Sequence, residues 1–184
     1  NQGRRELAGV GVSSSNAMAI SGQASTDNIT NVESWNGSAW TEIAEVNTGR
    51  SEDPGAGGSN TSAVFFGGNP ATNATEIWNG TSWTEVNNLN TGRDQLGGSG
   101  FASSALGFGG YLGSPFNPAS GSGTTATEEY DGTNWTSGGN LGTARHGIGA
   151  TGSQTAGLAS GGAEPSTSGK TEEYNGTSWS EQND

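Results

Sequence analysis

The chain has 184 residues, of which only 28% are hydrophobic, and its 18 acidic and six basic residues give a net charge of −12. This charge repels phosphate backbones and anionic lipid, which argues against a nucleic-acid partner. The absence of cysteine excludes disulfides and thiolate chemistry, and the lack of an apolar run of roughly 20 residues argues against membrane insertion.

Four connections that end in arginine divide the chain into repeats. The arginines are Arg4, Arg50, Arg93 and Arg145, and successive ones lie 46, 43 and 52 residues apart. A period of this length is typical of propellers, solenoids and arrays. We therefore expect a single domain, 1–184, made of repeats at about 1–46, 47–89, 90–141 and 142–184.

Each repeat begins with two strand candidates. The first follows the arginine and is rich in glycine, which suits a strand crowded near an axis where backbones approach closely. The second is the most apolar segment of its repeat and ends at glycine. The first strands are expected at 7–12, 54–58, 96–101 and 148–152, and the second at 17–20, 63–66, 105–108 and 157–159.

The third and fourth strands are predicted from a motif that is clearest at 171–181, Thr-Glu-Glu-Tyr-Asn-Gly-Thr-Ser-Trp-Ser-Glu. Related segments occur at 32–42, 75–85 and 127–136. Asn-Gly or Asp-Gly between polar-aromatic runs predicts a hairpin with a two-residue type I′ turn. Four antiparallel strands per repeat form a blade, so we predict an all-β fold, a four-bladed β-propeller.

An arginine before the first strand, a second strand closing on Gly-Gly, and two aromatic residues separated by a turn together resemble the kelch repeat. The matching residues are Gly67, Gly68, Trp78 and Trp83; Gly109, Gly110, Tyr130 and Trp135; and Gly161, Gly162, Tyr174 and Trp179. The first repeat departs from the pattern, with Ser21-Gly22 before Trp35 and Trp40. The repeat sequence, which is rich in glycine, threonine and asparagine, is also similar to repeats of bacteriophage and other viral structural proteins.

The four repeats begin and end in phase, which predicts a closed monomeric ring whose termini meet. An open half-ring that pairs with a second copy into eight blades is the alternative.

The arginines have glutamates at matching positions, Glu33, Glu76, Glu128 and Glu172. Arg4, Arg50, Arg93 and Arg145 are candidate residues for capturing an anionic ligand, such as a sialic acid, at the channel mouth. Alternatively, each arginine is clamped to a glutamate by bidentate hydrogen bonds. The occurrence of the pair in every repeat favours this structural role.

The tryptophans that follow each turn, Trp40, Trp83, Trp135 and Trp179, are expected to pack between blades rather than to stack on sugars. A single histidine, His146, cannot supply the usual metal ligands without cysteine, so we expect it to be structural. Glu52 and Asp53 with Arg50, and Asp94 with Arg93, lie at strand starts and are candidates for a small polar or calcium site. No Asp-rich calcium loop accompanies them, and we predict no catalytic residue, metal or cofactor.

The least repetitive segment is the connection at 111–125 in the third repeat. Loops that break a repeat pattern are where propellers place function, so Tyr111, Leu112 and Phe116 are candidate ligand-binding residues. The counterparts at 69–74 and 163–170 are expected to flank this loop on the same rim.

Together these features predict a non-enzymatic binding or adhesion module that presents rim loops to a glycan or protein partner. We expect an extracellular or virion-associated location, on a virion or cell surface. The alternative is a purely architectural virion or assembly protein with no small ligand.

Overall fold

The computed structural model describes residues 2–52, 55–113, 122–163 and 166–182. Across these ranges the regular structure is made of β-strands, with no helix. Accordingly, this part of the chain holds no helix that could cross a membrane. The glycine content accounts for the absence of helices, since each interior glycine costs a helix about 1 kcal/mol relative to alanine.

The first two blades each lie within one predicted repeat. Blade 1 comprises β1 (Ala8–Ser13) and β2 (Asn16–Ile20), a short hairpin of β3 (Gln23–Ala24) and β4 (Asp27–Asn28), then β5 (Val32–Trp35) and β6 (Trp40–Ile43). Blade 2 comprises β7 (Gly55–Ser59), β8 (Ser62–Phe66), β9 (Thr75–Trp78) and β10 (Trp83–Val86). In both blades the four long strands form one antiparallel sheet in chain order.

The last two blades repeat this arrangement. Blade 3 comprises β11 (Gly97–Phe101) and β12 (Ser104–Phe108), the short pair β13 (Tyr111–Leu112) and β14 (Ser122–Gly123), then β15 (Thr127–Tyr130) and β16 (Trp135–Ser137). Blade 4 comprises β17 (Gly149–Ser153), β18 (Ala156–Ser160), β19 (Thr171–Tyr174) and β20 (Trp179–Glu181). The predicted all-β propeller of four four-stranded antiparallel blades is confirmed.

The turn between the last two strands of each blade differs from the prediction. A type I′ turn needs two consecutive residues with positive φ, whereas only the glycine of each Asn-Gly or Asp-Gly pair has one, at 95°, 93°, 92° and 89° in chain order. The side chain of the residue before the glycine stabilises the turn instead. In blade 2, the Oδ1 atom of Asn79 accepts hydrogen bonds from the backbone N–H groups of Thr81 and Ser82, at 2.9 and 3.0 Å. The hairpin is confirmed, but the type I′ geometry is wrong.

The first strands lie innermost and approach one another at backbone distance. A Cβ atom placed on Gly98 of β11 would lie 2.6 Å from the amide nitrogen of Ala56 in β7, and one on Gly57 would lie 2.7 Å from the carbonyl oxygen of Gly100. Only glycine permits such spacing. A cavity of about 180 Å³ lies between the first strands of all four blades, so the blades surround one axis.

The hydrophobic core is divided among the junctions between successive blades. Trp135 of blade 3 packs on Phe66 of blade 2, and Trp179 of blade 4 packs on Phe108 of blade 3, each with ring centroids 4.7 Å apart. Between blades 1 and 2, buried Trp83 joins a cluster that includes Ile20. The predicted packing of these tryptophans between blades is confirmed at three junctions.

The junction between blades 4 and 1 is different. In the described ranges, β17 and β1 do not pack against each other as the other three neighbouring first strands do. Trp40 is 39% exposed and Val12 is 58% exposed, so Trp40 does not have the inter-blade packing expected of it. Blade 4 carries Ser160 at the position of Phe66 and Phe108, and therefore offers no ring for a tryptophan to contact.

Candidate functional site

The candidate site lies where the first strands begin. In every blade, the residue after the arginine forms an antiparallel bridge with a residue at the start of the connection between the second and third strands. These pairs are Arg5 with Gln23, Ser51 with Asn69, Asp94 with Tyr111, and His146 with Ala163. The backbone pairing is therefore constant, while the side chains differ from blade to blade. Constant geometry with variable chemistry is a typical setting for a ligand site on a repeat protein.

Six side chains from blades 2, 3 and 4 gather at this end of the ring, and we refer to them as the polar cluster: Glu52, Asn69, Asp94, Gln95, Tyr111 and His146. Five of them are half-buried, and Asp94 is fully buried. The blades are linked here through the backbone as well, because the N–H of Gln95 donates to the carbonyl of Glu52 and the N–H of Gly147 donates to that of Gln95, each at 2.8 Å.

A chain of side-chain hydrogen bonds crosses the polar cluster. Asn69 donates from Nδ2 to one carboxylate oxygen of Glu52 at 2.9 Å, and Gln95 donates from Nε2 to the other at 3.0 Å. The Oε1 atom of Gln95 then faces Nδ1 of His146 at 2.8 Å. Because this amide oxygen can only accept, Nδ1 of His146 must be the donor. In the neutral imidazole, Nε2 therefore carries the lone pair and is the acceptor.

Asp94 is the most unusual residue of the polar cluster. Its side chain is 0% exposed, and within the described ranges neither carboxyl oxygen has a hydrogen-bond partner. Burial, and after it the negative charge of Glu52, raises the pKa of Asp94 to about 7. A buried carboxyl group without partners is costly for folding. This is consistent with a group kept to bind a ligand.

Tyr111 and His146 supply an aromatic surface beside these acceptors. Their ring centroids are 5.2 Å apart, with the ring planes inclined by 70°. Leu112 follows Tyr111 in β13 and is also half-buried. The structure brings Tyr111 next to Asp94, with which it forms a backbone bridge, and next to His146. Phe116 and Asp53 lie outside the described residues.

The predicted arginines lie inside the blades. The guanidinium groups of Arg50, Arg93 and Arg145 are fully buried, and Nη2 of each pairs with a glutamate oxygen. The partners are Glu76 at 2.7 Å, Glu128 at 2.7 Å and Glu172 at 2.6 Å. The expected arginine–glutamate pairing is present in these three blades, but it is not bidentate, because only Nη2 donates to the glutamate. Nη1 donates instead to backbone carbonyls, so these three guanidinium groups face internal partners rather than the channel.

Each buried arginine also holds the base of a rim connection. Nη1 of Arg93 donates to the carbonyls of Gly109 at 3.0 Å and Ala126 at 2.8 Å, which flank the connection that carries Tyr111. Arg4 acts similarly but is partly exposed, donating to the carbonyls of Asn31 at 3.0 Å and Ala19 at 3.1 Å. The arginines therefore position these connections through hydrogen bonds to the backbone carbonyls at their ends.

Sequence reasoning identified Glu52, Asp94 and Tyr111 but not Asn69 or Gln95. Neither amide belongs to a recognisable motif. The signal that could have found them is a comparison of equivalent positions, because 69 and 95 carry different residues from their counterparts in the other repeats while the bridge between the strands is retained.

The comparisons with known proteins return neither a family model nor a curated protein that matches the chain. Among the residues that the structure describes, no group of three or more histidine, aspartate or glutamate side chains is arranged to hold a metal ion. The polar cluster can therefore contact a ligand through hydrogen bonds to its carboxylates and amides and through its aromatic rings.

Proposed function

We propose that the chain is a non-enzymatic, kelch-type binding module that holds a glycan at the polar cluster. In this proposal the rim loops face a virion or cell surface environment, where glycans are available as ligands. The observation that carries the proposal is the hydrogen-bonded chain of Glu52, Gln95 and His146 beside the ring of Tyr111.

A neutral sugar matches this chemistry best. Sugar hydroxyl groups donate hydrogen bonds that the carboxylate of Glu52 and the Nε2 atom of His146 accept, and the apolar face of a pyranose packs on an aromatic ring. The amide groups of Asn69 and Gln95 keep Glu52 in place, which preorganises the site and reduces the entropic cost of binding.

An anionic sugar fits less well. The net charge of −12 repels it, and the three buried guanidinium groups that could have attracted it are paired with glutamates. The proposal therefore favours neutral glycans over sialylated ones. It replaces the expectation that an arginine ring captures the ligand.

A glycan array with neutral and sialylated oligosaccharides tests this function. The wild-type chain is expected to bind neutral structures, and Tyr111→Ala should weaken the hits by about tenfold, as expected for loss of one aromatic contact. Alanine is already present at the equivalent position, Ala163, so the substitution should leave the blade intact. Phe101→Ala is the control, because Phe101 is likewise an aromatic residue, 50% exposed, but lies on the axial cavity away from the polar cluster.

Absence of binding to every glycan, or equal losses in the two variants, would contradict the proposal. Binding confined to sialylated glycans would contradict the preference for a neutral ligand.

A further inference from the structure

The three internal junctions are built from the same parts. The N–H of a glycine in the earlier blade donates to the carbonyl of the arginine in the later blade: Gly22 to Arg50 at 2.9 Å, Gly68 to Arg93 at 2.9 Å, and Gly110 to Arg145 at 2.8 Å. The indole N–H of the later blade's tryptophan donates back to the earlier blade. Trp135 reaches Oγ1 of Thr75 at 3.1 Å, and Trp179 reaches Oγ1 of Thr127 at 2.9 Å.

Blade 1 displays the tryptophan half of such a junction without using it. Trp40 is 39% exposed. It stacks on Trp35 of its own blade, with ring centroids 5.5 Å apart. Its counterparts Trp83 and Trp135 are only 7% and 5% exposed, because each is covered by the preceding blade. We call the surface formed by Trp35 and Trp40 the tryptophan face.

Blade 4 displays the other half. A groove of about 400 Å³ runs over its outward surface and is lined by residues that include Thr151, Leu158 and Glu173. Leu158 is half-buried, whereas Val64 and Leu106, at the equivalent positions of blades 2 and 3, are fully buried by the blade that follows. We call this surface the blade 4 groove.

We propose that the tryptophan face of one chain docks into the blade 4 groove of a second copy of the same chain. The occupant follows from the repeat itself, because blade 1 supplies the parts that every other blade inserts into its predecessor.

Among the described residues, the first strands of blades 1 and 4 do not pack together as the first strands at the three internal junctions do. Each blade is completed within its own repeat, so no strand from one end of the chain enters the sheet at the other end. A second copy can offer blade 4 the contacts that each later blade makes with its predecessor, including the arginine carbonyl. Each junction is heterologous, because it joins two different surfaces. Two reciprocal junctions related by a two-fold rotation close into a dimer.

The substitution at Ser160 sets the strength of the contact. Without the aromatic ring that Phe66 and Phe108 provide to their tryptophans, the junction between copies is weaker than the internal ones. The association is therefore expected to be reversible and to depend on concentration.

Light scattering after size-exclusion chromatography, over a roughly hundredfold range of concentration, tests the proposal. We expect the mass to rise from monomer towards dimer, and Trp40→Ala to weaken association by about tenfold or more. Ser160→Phe should strengthen it, because it restores the ring present in blades 2 and 3. Phe101→Ala, an exposed aromatic outside both surfaces, should associate as wild type does.

A mixing experiment separates association between chains from closure within one chain. A Trp40→Ala chain keeps its blade 4 groove, and a Leu158→Arg chain keeps its tryptophan face, so a mixture of the two allows one intact junction. Circular dichroism and thermal melting check that both variants are folded.

Heterodimers in the mixture, with each variant alone monomeric, support docking between copies. A chain that stays monomeric at every concentration overturns the proposal, as does a mixture in which no heterodimer forms although both variants are folded.

Discussion

Replacing Glu128 by glutamine should destabilise the propeller strongly, because it disrupts a buried ion pair in which both carboxylate oxygens accept hydrogen bonds. One carboxylate oxygen of Glu128 accepts from Nη2 of Arg93 at 2.7 Å. The other accepts from the backbone N–H of Asn90 at 2.7 Å and from its Nδ2 atom at 2.8 Å. Glutamine retains one oxygen, so its NH₂ group must face either the guanidinium or the two donors of Asn90.

The magnitude follows from this geometry. Breaking a buried ion pair by neutralising one partner typically costs about 3–5 kcal/mol. Burial already lowers the pKa of Arg93, and Glu128 is the main group that opposes this shift, so the arginine loses its principal support. For a domain of this size, about 2–4 °C per kcal/mol gives a Tm lower by about 6–20 °C.

Thermal unfolding followed by near-ultraviolet circular dichroism measures this directly, with Glu173→Gln as the matched control. Glu173 lies on the same strand of blade 4 as the equivalent Glu172, but is exposed, so its substitution should change stability by less than about 0.5 kcal/mol. A Glu128→Gln melt that coincides with that of the control would refute the reasoning, since it would mean that the buried pair contributes nothing to folding.

Two carboxyl groups make opposite predictions for the pH dependence of stability. The pKa of Asp94 is raised to about 7 in the folded state, so folding retains its proton and stability should fall as pH rises from about 4 towards 7; urea titrations of Asp94→Asn should show this decline reduced. Hydrogen bonds from the backbone N–H groups of Asn134 and Thr133 lower the pKa of Asp131, so its contribution is present above the ordinary aspartate pKa and is lost in acid. Asp131→Asn, the residue used in the other three turns, should remove that acid-side loss and keep the turn; a variant whose acid-side titration matches that of wild type would contradict this account.

Much of the fold was predictable because the same local sequence features recur in all four repeats. Glycine-rich first strands indicated close backbone approach, and the structure shows it between Gly98 and Ala56. Arginine and glutamate at matching positions indicated clamps, and three such pairs are present. A signal that recurs in several repeats is hard to produce by chance.

The turn and the fourth junction were less predictable for physical reasons. Asn-Gly favours two positive φ angles in isolation, but the asparagine side chain can instead accept the backbone N–H groups of the turn, which changes the preferred backbone. At the fourth junction the decisive feature is one residue, Ser160, whose effect depends on which side chain of another blade would have contacted it. Such a pairing over most of the chain length has no local signature.

Part of the polar cluster was not predicted from the sequence, because its residues do not recur from one repeat to the next. In a ring of equivalent blades, a position that packs the same way four times is constrained to similar residues. Freedom to vary therefore marks positions that the fold does not use in every blade. Glu52, Gln95 and His146 meet these conditions, and their hydrogen-bonded chain exists only because three different residues occupy related sites.

Asp94 and Trp40 both depart from the symmetry of the repeats, and both lower the stability of the fold. Asp94 buries a carboxyl group without partners, and Trp40 leaves a large aromatic side chain exposed; either change lowers the stability of an isolated ring. A sequence shaped by stability alone would place a small or apolar residue at the first position, as blade 2 does with Ser51, and an aromatic residue opposite the second, as blade 3 does with Phe108. Sites that sacrifice stability in a locally consistent fold are where function is expected, and the two sites lie on different surfaces, so ligand binding and self-association can be tested and lost independently.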